Sequence, residues 1–319
     1  MILDVQNLRV EFPTRRGTLT ALDGVSFSIA PGEVLGVVGE SGAGKSITGM
    51  AVIRLLAPPG RIASGEIHLE GRRIDNLPHE EMRKLRGRRI GVIFQDPLTS
   101  LNPLYTIGRQ LEETILTHLP MGKSEARGRA LSLLREVGIP APEARYEHYP
   151  HQFSGGMRQR VVIALALAAE PKLLIADEPT TALDVSIQAQ IIALIRRVAR
   201  DRGAAVMLIT HDMGVIAETA QRVAVMYAGR IVEIGAAQDV IHAPKHPYTV
   251  GLMGSIPRIS AEKHRLVQIE GSMPRLNAIP PGCPFNPRCA HRFDRCVVER
   301  PELIAAGASR AACWLHANA

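Results

Sequence analysis

Residues 39–46, GESGAGKS, are the stretch that decides the fold. They lie between an apolar run, EVLGVV, and a helix-like segment, ITGMAVIRLL. The spacing fits G-x-x-x-x-G-K-[ST], in which glycine lets the backbone turn back on itself and bring its N–H groups close to phosphate oxygens. The helix that follows adds unpaired N–H groups and the positive end of its dipole. The segment therefore predicts a phosphate-binding loop between a strand and a helix.

Every residue of this loop is a candidate nucleotide contact: Gly39, Glu40, Ser41, Gly42, Ala43, Gly44, Lys45 and Ser46. Lys45 is expected to reach the β- and γ-phosphates, and the Ser46 hydroxyl to ligate Mg²⁺. The alternative is a glycine-rich turn that matches the spacing by chance. Kinases, GTPases, ATPases and nucleotide-driven motors all use such a loop, so other residues must select the reaction.

The composition is that of a globular protein. The chain has 319 residues, 46% of them hydrophobic, enough for one large or two modest domains. The longest apolar run, VVIALALAA at 161–169, ends at Glu170 and is shorter than the roughly 20 residues that cross a bilayer. The first residues, MILDVQNLRVEF, alternate apolar and polar side chains, which indicates a strand and not a signal peptide. A cytoplasmic location is expected.

The charge balance leaves several partners open. A net charge of +7 suits nucleic acid, nucleotide phosphates or an anionic membrane surface. Only 4% of the residues are aromatic, which argues against stacking platforms for single-stranded nucleic acid. No nucleic-acid partner is expected.

The order of patterns along the chain predicts an α/β fold. Two segments of period 2 before residue 30 indicate an antiparallel β start, and helical periodicity over about 97–168 indicates a helical insert. The strand-like runs KLLIAD at 172–177 and AAVMLIT at 204–210, with a helix between them, indicate a mostly parallel sheet. After about residue 255 the chain becomes rich in proline and cysteine and loses both periods. The predicted domains are 1–255 and a separate C-terminal extension, 256–319.

Two adjacent carboxylates select ATP hydrolysis among the nucleotide reactions. Asp177 and Glu178 follow the apolar strand LLIA. In a phosphate-loop ATPase, the first carboxylate holds Mg²⁺ through water and the second polarises the attacking water. The alternative is that both residues cap the helix that follows.

Three further motifs give the chain its resemblance to a known family. Gln95 ends the strand IGVIFQ, FSGGMRQR occupies 153–160, and His211 follows a strand in LITHD. With the loop and the carboxylates, these motifs make residues 1–255 resemble the nucleotide-binding subunit of an ABC transporter. The resemblance implies a P-loop ATPase fold with an antiparallel β subdomain and a helical insert. It also implies MgATP as cofactor and a head-to-tail dimer with a second, identical or similar, ATPase subunit.

The resemblance assigns the Ser-Gly-Gly segment to the partner's nucleotide. Ser154, Gly155 and Gly156 would form the signature motif that faces ATP held by the opposite subunit. A hydroxyl, a close backbone and a helix N-terminus suit a γ-phosphate, although Ser-Gly-Gly by itself also reads as a helix cap with a flexible turn. The family pattern is usually Leu-Ser-Gly-Gly-Gln, whereas this chain has Phe153 and Met157 at the two ends.

The remaining site residues also come from the resemblance. His211 would contact the γ-phosphate and hold water and Glu178 in register, and Gln95 would sense Mg²⁺ and the attacking water. TALD at 181–184 resembles the loop that places Asp184 at the dimer seam. Phe12 is a candidate for stacking on adenine, with a place in the core as the alternative. Taken singly, Gln95 and His211 read as structural.

The tail points to the transported cargo. HAPKHPYTVGLM at 242–253 and the later PPGCPFNPRC resemble the C-terminal extension of ATPases from dipeptide and oligopeptide importers. That group also includes nickel and glutathione importers. The implied partners are two membrane permeases and, indirectly, an extracytoplasmic binding protein, with this chain peripheral at the cytoplasmic face of the membrane. The rivals are a soluble ABC ATPase that acts on ribosomes or DNA, and a regulatory or redox-sensing subunit.

All the cysteines of the chain lie in this tail. They are Cys283, Cys289, Cys296 and Cys313, with the spacing C-x5-C-x6-C-x16-C. A reducing compartment disfavours disulfides, and the spacing lacks the short C-x2-C pairs typical of zinc sites. By resemblance to members of this subfamily, the four thiolates would hold a [4Fe–4S] cluster. Zinc and unliganded thiols are the alternatives. A change in the tail is expected to leave the phosphate loop intact.

Overall fold

The structure is a computed structural model that describes residues 1–181, 183–255 and 269–317. Within these ranges the strands are β1 (Leu3–Thr14), β2 (Gly17–Ile29), β3 (Val34–Val38), β4 (Arg61–Leu69), β5 (Arg72–Arg73), β6 (Ile90–Ile93), β7 (Leu173–Asp177), β8 (Ala205–Ile209), β9 (Arg222–Tyr227), β10 (Arg230–Ala236), β11 (Ile304–Ala306) and β12 (Ser309–Ala311).

The helices of the same ranges are α1 (Lys45–Val52), α2 (His79–Leu85), α3 (Pro97–Ser100), α4 (Ile107–His118), α5 (Lys123–Glu136), α6 (Pro142–Tyr146), α7 (Gly155–Leu167), α8 (Val185–Arg202), α9 (Met213–Thr219), α10 (Ala237–His242), α11 (Pro247–Gly254) and α12 (Asp294–Val298). Among the described helices, none combines the length and apolar character needed to cross a membrane.

Two compact units make up the chain. The first unit comprises Met1–Ile2, Ile29–Glu33 and Asn76–Leu208. The second unit comprises Leu3–Ser28, Val34–Asp75 and Ile209–Ala319. The chain therefore passes between the units several times, and neither unit is one continuous segment.

The first unit combines a short sheet with the helical insert. Its strands lie in the order β8-β7-β6, and β6 pairs with β7 in parallel. All five residues of β7 and all five of β8 are buried. Parallel strands are covered on both faces, which explains why these two segments are continuous apolar runs in the sequence. The elements between Pro97 and Leu167 are helices, α3 to α7, joined by short turns. Consecutive helices at this position agree with the predicted insert.

The second unit contains antiparallel and parallel strands. One sheet has the order β2-β1-β4-β5, with β1 antiparallel to β4. The other strands of this unit lie in the order β11-β12-β10-β9-β3, where β3 and β9 are parallel and β10 is antiparallel to β9 and β12. The predicted α/β class with an antiparallel β subdomain is confirmed.

The C-terminal extension is joined to the sheet of the second unit. The hairpin of β11 and β12 pairs with β10, with Glu233 opposite Ala311 and Ile234 opposite Arg310. The described part of the extension thus lies in the same unit as residues 39–46. The expected independence of the tail from the phosphate loop does not hold there. Residues 256–268 lie outside the described residues, and the limits 1–255 and 256–319 remain a prediction.

Glu233 is a fully buried carboxylate at this junction. It accepts hydrogen bonds from the backbone N–H groups of Lys245 and His246, both at 2.8 Å, and from the Ser309 hydroxyl at 3.1 Å. One side chain therefore ties β10 to the start of α11 and to β12. A buried acceptor with three donors is costly to remove, because each donor left without a partner has lost its contact with water.

Replacing Glu233 tests this junction. We expect Glu233→Ala to lower the free energy of unfolding by about 2–5 kcal/mol, because two backbone donors and a hydroxyl lose their acceptor. Chemical denaturation gives the value, and Glu218→Ala, on the exposed face of α9, is the control. Stability equal to that of the control would show that Glu233 does not hold the junction.

Candidate functional site

The phosphate loop has backbone angles that only glycine adopts readily. Gly39, at the end of β3, has φ 150°, and Gly44, just before α1, has φ 104°. A Cβ on Gly39 would lie 2.3 Å from the Met226 carbonyl oxygen, and one on Gly44 would lie 2.8 Å from a Leu22 methyl carbon. The two glycines thus allow the loop to pack closely against Met226 and Leu22 of the same unit. This close packing is the physical reason for the glycines at fixed positions in G-x-x-x-x-G-K-[ST].

Lys45 lies across this loop. Its side chain is buried, and Nζ donates to the carbonyl oxygens of Gly39 at 2.8 Å and Glu40 at 3.1 Å. The ammonium is therefore held at the centre of the loop, in reach of a phosphate bound by the surrounding N–H groups. Ser46 is exposed on the first turn of α1, where its hydroxyl is accessible to a metal ion.

The two carboxylates stand at the end of β7 in the first unit. Asp177 is buried, whereas Glu178 is half-buried and has a left-handed backbone with φ 46°. Such a conformation in a residue other than glycine is uncommon and is found at functional sites. It turns the Glu178 side chain away from the strand direction, which places the two carboxylates in different surroundings.

Gln95 and Glu178 meet in the first unit. Gln95 Nε2 donates to Glu178 Oε2 at 3.1 Å, although 83 residues separate the two along the chain. The Thr181 hydroxyl donates to the same oxygen at 2.9 Å. The structure therefore brings together two of the residues chosen from the sequence and adds Thr181, which sequence reasoning missed. Two donors on one oxygen fix the orientation of the carboxylate.

The Ser-Gly-Gly segment begins α7. Ser154 is the N-cap residue, and its hydroxyl accepts from the Met157 backbone N–H at 3.3 Å. Ser154 and Gly155 are nevertheless exposed, and a Cβ on Gly155 would meet nothing within 4 Å. Phe153 is buried, so the residue in place of the family's leucine serves the core. The role of this segment toward a second subunit remains a prediction.

The other predicted contacts lie at element ends. His211 is exposed just after β8, and Asp184 is the exposed N-cap residue of α8. Ala182, within the TALD segment, lies outside the described residues. Phe12 is half-buried, and a Cβ on Gly60 would lie 2.6 Å from its ring, so the ring packs on the Gly60 backbone. This contact accounts for one face of the Phe12 ring.

Sequence reasoning missed two partners of the phosphate loop. The Tyr248 hydroxyl accepts from the backbone N–H of Glu40 at 2.8 Å. Arg288 Nη1 donates to both carboxylate oxygens of Glu40 at 3.1 Å. Both residues lie in the segments that resemble the importer extension, HAPKHPYTVGLM and PPGCPFNPRC. No pattern along the chain indicated that these segments touch the nucleotide loop.

The four cysteines come together in the second unit. Cys283, Cys289, Cys296 and Cys313 all line one small pocket, which His246 also lines. Burial and the neighbouring thiols raise the pKa of Cys283 to about 11, and burial raises the pKa of Cys289 and Cys313. These thiols are therefore protonated at neutral pH unless a cation holds them as thiolates.

His246 is the buried polar group of this pocket. Its Nδ1 accepts from the Tyr248 backbone N–H at 3.1 Å, which assigns the ring proton to Nε2. Nε2 is buried without a hydrogen-bond partner among the described residues, and burial lowers the pKa of His246 to about 3. A neutral N–H donor thus lies beside four thiols and lacks an acceptor.

The thiols are not arranged as a ready metal site. Within residues 1–181, 183–255 and 269–317, no group of three or more His, Cys, Asp or Glu side chains is placed to hold a metal ion. The predicted [4Fe–4S] cluster therefore has no support from side-chain geometry. The shared pocket and the unpaired His246 donor are the features that are compatible with one.

Comparison with known proteins identifies the family. Residues 22–181 match the family model described as ABC transporter. Residues 232–296 match the model described as the oligopeptide/dipeptide transporter, C-terminal region. The chain belongs to the ABC transporter family. The second match places it in the oligopeptide/dipeptide branch, whose ATP-binding subunits couple ATP hydrolysis to transport and use ATP with Mg²⁺.

Relatives match this ABC subunit over nearly its whole length. The dipeptide transport ATP-binding protein DppD of Bacillus subtilis is 50% identical over 99% of this chain and 95% of its own. The oligopeptide transport ATP-binding protein OppD of Escherichia coli is 50% identical over 92% of this chain and 87% of its own.

A solved cassette has the same fold. The ATP-binding cassette MJ0796, in a dimeric post-hydrolysis state bound to ADP and Pi, matches with a TM-score of 0.67 and 29% identity. The match covers 74% of this chain and 98% of that cassette. The family and the fold predicted from the sequence are confirmed.

Gly39→Ala tests the closure of the phosphate loop. The new Cβ would lie 2.3 Å from a backbone carbonyl oxygen at a φ that alanine avoids, so we expect the loop to open and ATP binding to be lost. Equilibrium binding of MgATP measures the effect. Gly128→Ala is the matched control, because a Cβ there meets nothing within 4 Å and Gly128 lies inside α5. Retained binding by Gly39→Ala would contradict the steric basis of the loop.

Proposed function

We propose that this ABC subunit hydrolyses ATP to drive the uptake of dipeptides or oligopeptides. The observation that carries the proposal is the match of residues 232–296 to the oligopeptide/dipeptide transporter C-terminal region, beside a full set of nucleotide motifs. The relatives are named for dipeptide and oligopeptide transport. The net charge of +7 suits the rival, an ABC ATPase that acts on ribosomes or DNA, but the match of residues 232–296 favours peptide transport.

The nucleotide roles follow from where each side chain stands. The N–H groups of the loop and Lys45 bind the phosphates, since Lys45 is held across the loop by two carbonyl oxygens. Ser46, Asp177 and Gln95 are the residues that would hold Mg²⁺, directly or through water, and the ion would neutralise phosphate charge. His211 contacts the γ-phosphate.

Glu178 is proposed as the general base. Gln95 and Thr181 both donate to its Oε2, and these hydrogen bonds orient the carboxylate that would accept a proton from the attacking water. A general base must be oriented before the reaction, and two hydrogen bonds provide that orientation.

Hydrolysis is proposed to need a second subunit. Ser154, Gly155 and Asp184 are exposed at helix starts, where they are accessible to another chain. In the dimer, Ser154, Gly155 and Gly156 face the nucleotide of the opposite subunit. The pair then docks at the cytoplasmic face of the membrane on two permeases, which receive cargo from an extracytoplasmic binding protein.

Glu178→Gln tests the base. The amide keeps the size and the hydrogen-bonding reach of the side chain but cannot take a proton, so turnover should fall by about 10²–10⁴-fold while ATP binding is preserved. ATP-bound dimers should accumulate, as measured by ATPase assay and light scattering. Glu113→Gln, at an exposed position of α4, is the matched control. Turnover within about threefold of the parent protein would remove Glu178 from this role.

We further propose that the four cysteines ligate a [4Fe–4S] cluster. The proposal rests on the resemblance of the four cysteines to those of the subfamily. The four thiols line one pocket with the buried His246 Nε2–H, although no group of three or more described side chains is placed to hold a metal ion. The cluster would cross-link a segment whose described elements are short, among them α12, β11 and β12. Cys283, Cys289, Cys296 and Cys313 would be the ligands.

Metal analysis of anaerobically purified protein tests the cluster. We expect brown protein with about four iron and four sulfide per chain, because four thiolates hold the cluster. Cys289→Ser should lose the iron. Colourless protein with about one zinc per chain would show that the cysteines bind zinc and not a cluster. Protein without stoichiometric iron or zinc would show that the cysteines are ordinary thiols.

A further inference from the structure

Glu40 is a carboxylate placed inside a loop that binds anions. Its backbone belongs to the phosphate loop, and its carbonyl oxygen accepts from Lys45 Nζ. An unpaired negative charge at this position would repel the phosphates of a nucleotide. The Glu40 carboxylate is therefore expected to need a cation that both neutralises it and holds it aside.

Arg288 of the extension supplies that cation. One guanidinium nitrogen, Nη1, lies 3.1 Å from each carboxylate oxygen of Glu40, although 248 residues separate the two along the chain. The Arg288 side chain is only 7% exposed and that of Glu40 29%. A largely buried ion pair is screened little by salt, so the contact is maintained under physiological conditions.

The Arg288 side chain is itself held in place. Its Nε donates to the Glu270 carbonyl oxygen at 2.8 Å, and Nη2 lies 3.3 Å from the Ile269 carbonyl oxygen and 3.4 Å from that of Gly271. Its guanidinium also lies 5.9 Å from the ring centres of Tyr227 and Phe285. These contacts orient the guanidinium independently of Glu40. Arg288 is therefore the fixed partner of the ion pair, and the Glu40 side chain is the one that it positions.

A second contact from the C-terminal region fixes the same loop residue. The Tyr248 hydroxyl accepts from the backbone N–H of Glu40 at 2.8 Å. Tyr248 is fully buried and packs edge-on to Tyr227, with ring centres 4.7 Å apart, and against Phe285 at 5.5 Å. The backbone and the side chain of Glu40 are thus both held from outside the loop. A Cβ on Gly42 would also lie 3.9 Å from Met273 of the extension.

We propose that Arg288 is a positioning residue for ATP, through which the C-terminal extension neutralises Glu40 and holds the phosphate loop in the conformation that binds the nucleotide. Arg288 touches no substrate; it acts through Glu40. The inference rests on the proposed ATP site. Cys289 follows Arg288 directly and lines the cysteine pocket with Phe285. Arg288 therefore connects the cysteine pocket to the phosphate loop.

Arg288→Met tests the neutralisation. The variant leaves Glu40 unpaired beside the phosphates, so the dissociation constant for MgATP should rise about tenfold or more, with kcat at saturating ATP changed less than about threefold. Adding Glu40→Gln to this variant removes the uncompensated charge and should restore affinity to within about threefold of the wild type. Arg292→Met, at an exposed position of the extension, is the matched control.

Two outcomes overturn the proposal. One is an affinity for MgATP in folded Arg288→Met that equals that of the wild type. The other is a double variant as weak as Arg288→Met, since a purely structural arginine would not be compensated by a neutral residue at position 40. If the wild-type chain itself binds no MgATP, the proposed function is wrong. If the wild-type chain binds MgATP and either of these outcomes is found, only the inference about Arg288 is wrong.

Glu40→Ala gives a second measurement that does not depend on the folding of Arg288→Met. It removes the carboxylate but leaves Arg288 its carbonyl partners. Without nucleotide, the backbone amides of residues 39–46 should exchange hydrogen about tenfold faster than in the wild type, because the loop has lost its side-chain tether. Unchanged exchange would show that the pair does not position the loop.

Discussion

The closed path of the backbone at Gly39 is the constraint on which the site depends. The Gly39 carbonyl oxygen accepts from the buried Lys45 ammonium, and the space beside its Cα is taken by the Met226 carbonyl. Any side chain at position 39 would collide with the Met226 carbonyl oxygen of β9, so the loop would have to move. Lys45 could then no longer lie across the loop, and the N–H groups at the start of α1 would lose their common direction. A single missing Cβ thus permits both the local fold and the binding of an anion.

The residues that are proposed to act on the nucleotide are divided between the two units. The second unit carries the phosphate loop and His211, whereas the first carries Asp177, Glu178 and the signature residues of α7. Within the first unit, Glu178 has a left-handed backbone, and Gln95 and Thr181 donate to one of its carboxylate oxygens. These contacts orient the side chain that is proposed as the general base.

The C-terminal extension is part of the nucleotide-binding unit and not an appendage to it. Its hairpin adds strands to β10, the buried Glu233 ties that strand to the start of α11, and Arg288 and Tyr248 hold Glu40. The segment that distinguishes the oligopeptide/dipeptide branch thus contacts the loop that all ABC ATPases share. This arrangement gives a branch-specific segment a physical means to influence a general reaction.

The sequence by itself determined the family, the α/β class and the local elements. Continuous apolar runs specify buried strands such as β7 and β8, and glycine and lysine at fixed spacing specify the loop, because these features depend on neighbours within a few residues. Only the tertiary structure decided that Gln95 and Thr181 share an oxygen of Glu178, and that Arg288 pairs with Glu40 across 248 residues. It also decided that the tail shares a unit with the phosphate loop. Such pairings depend on the path of the whole chain, and no periodicity or spacing encodes them.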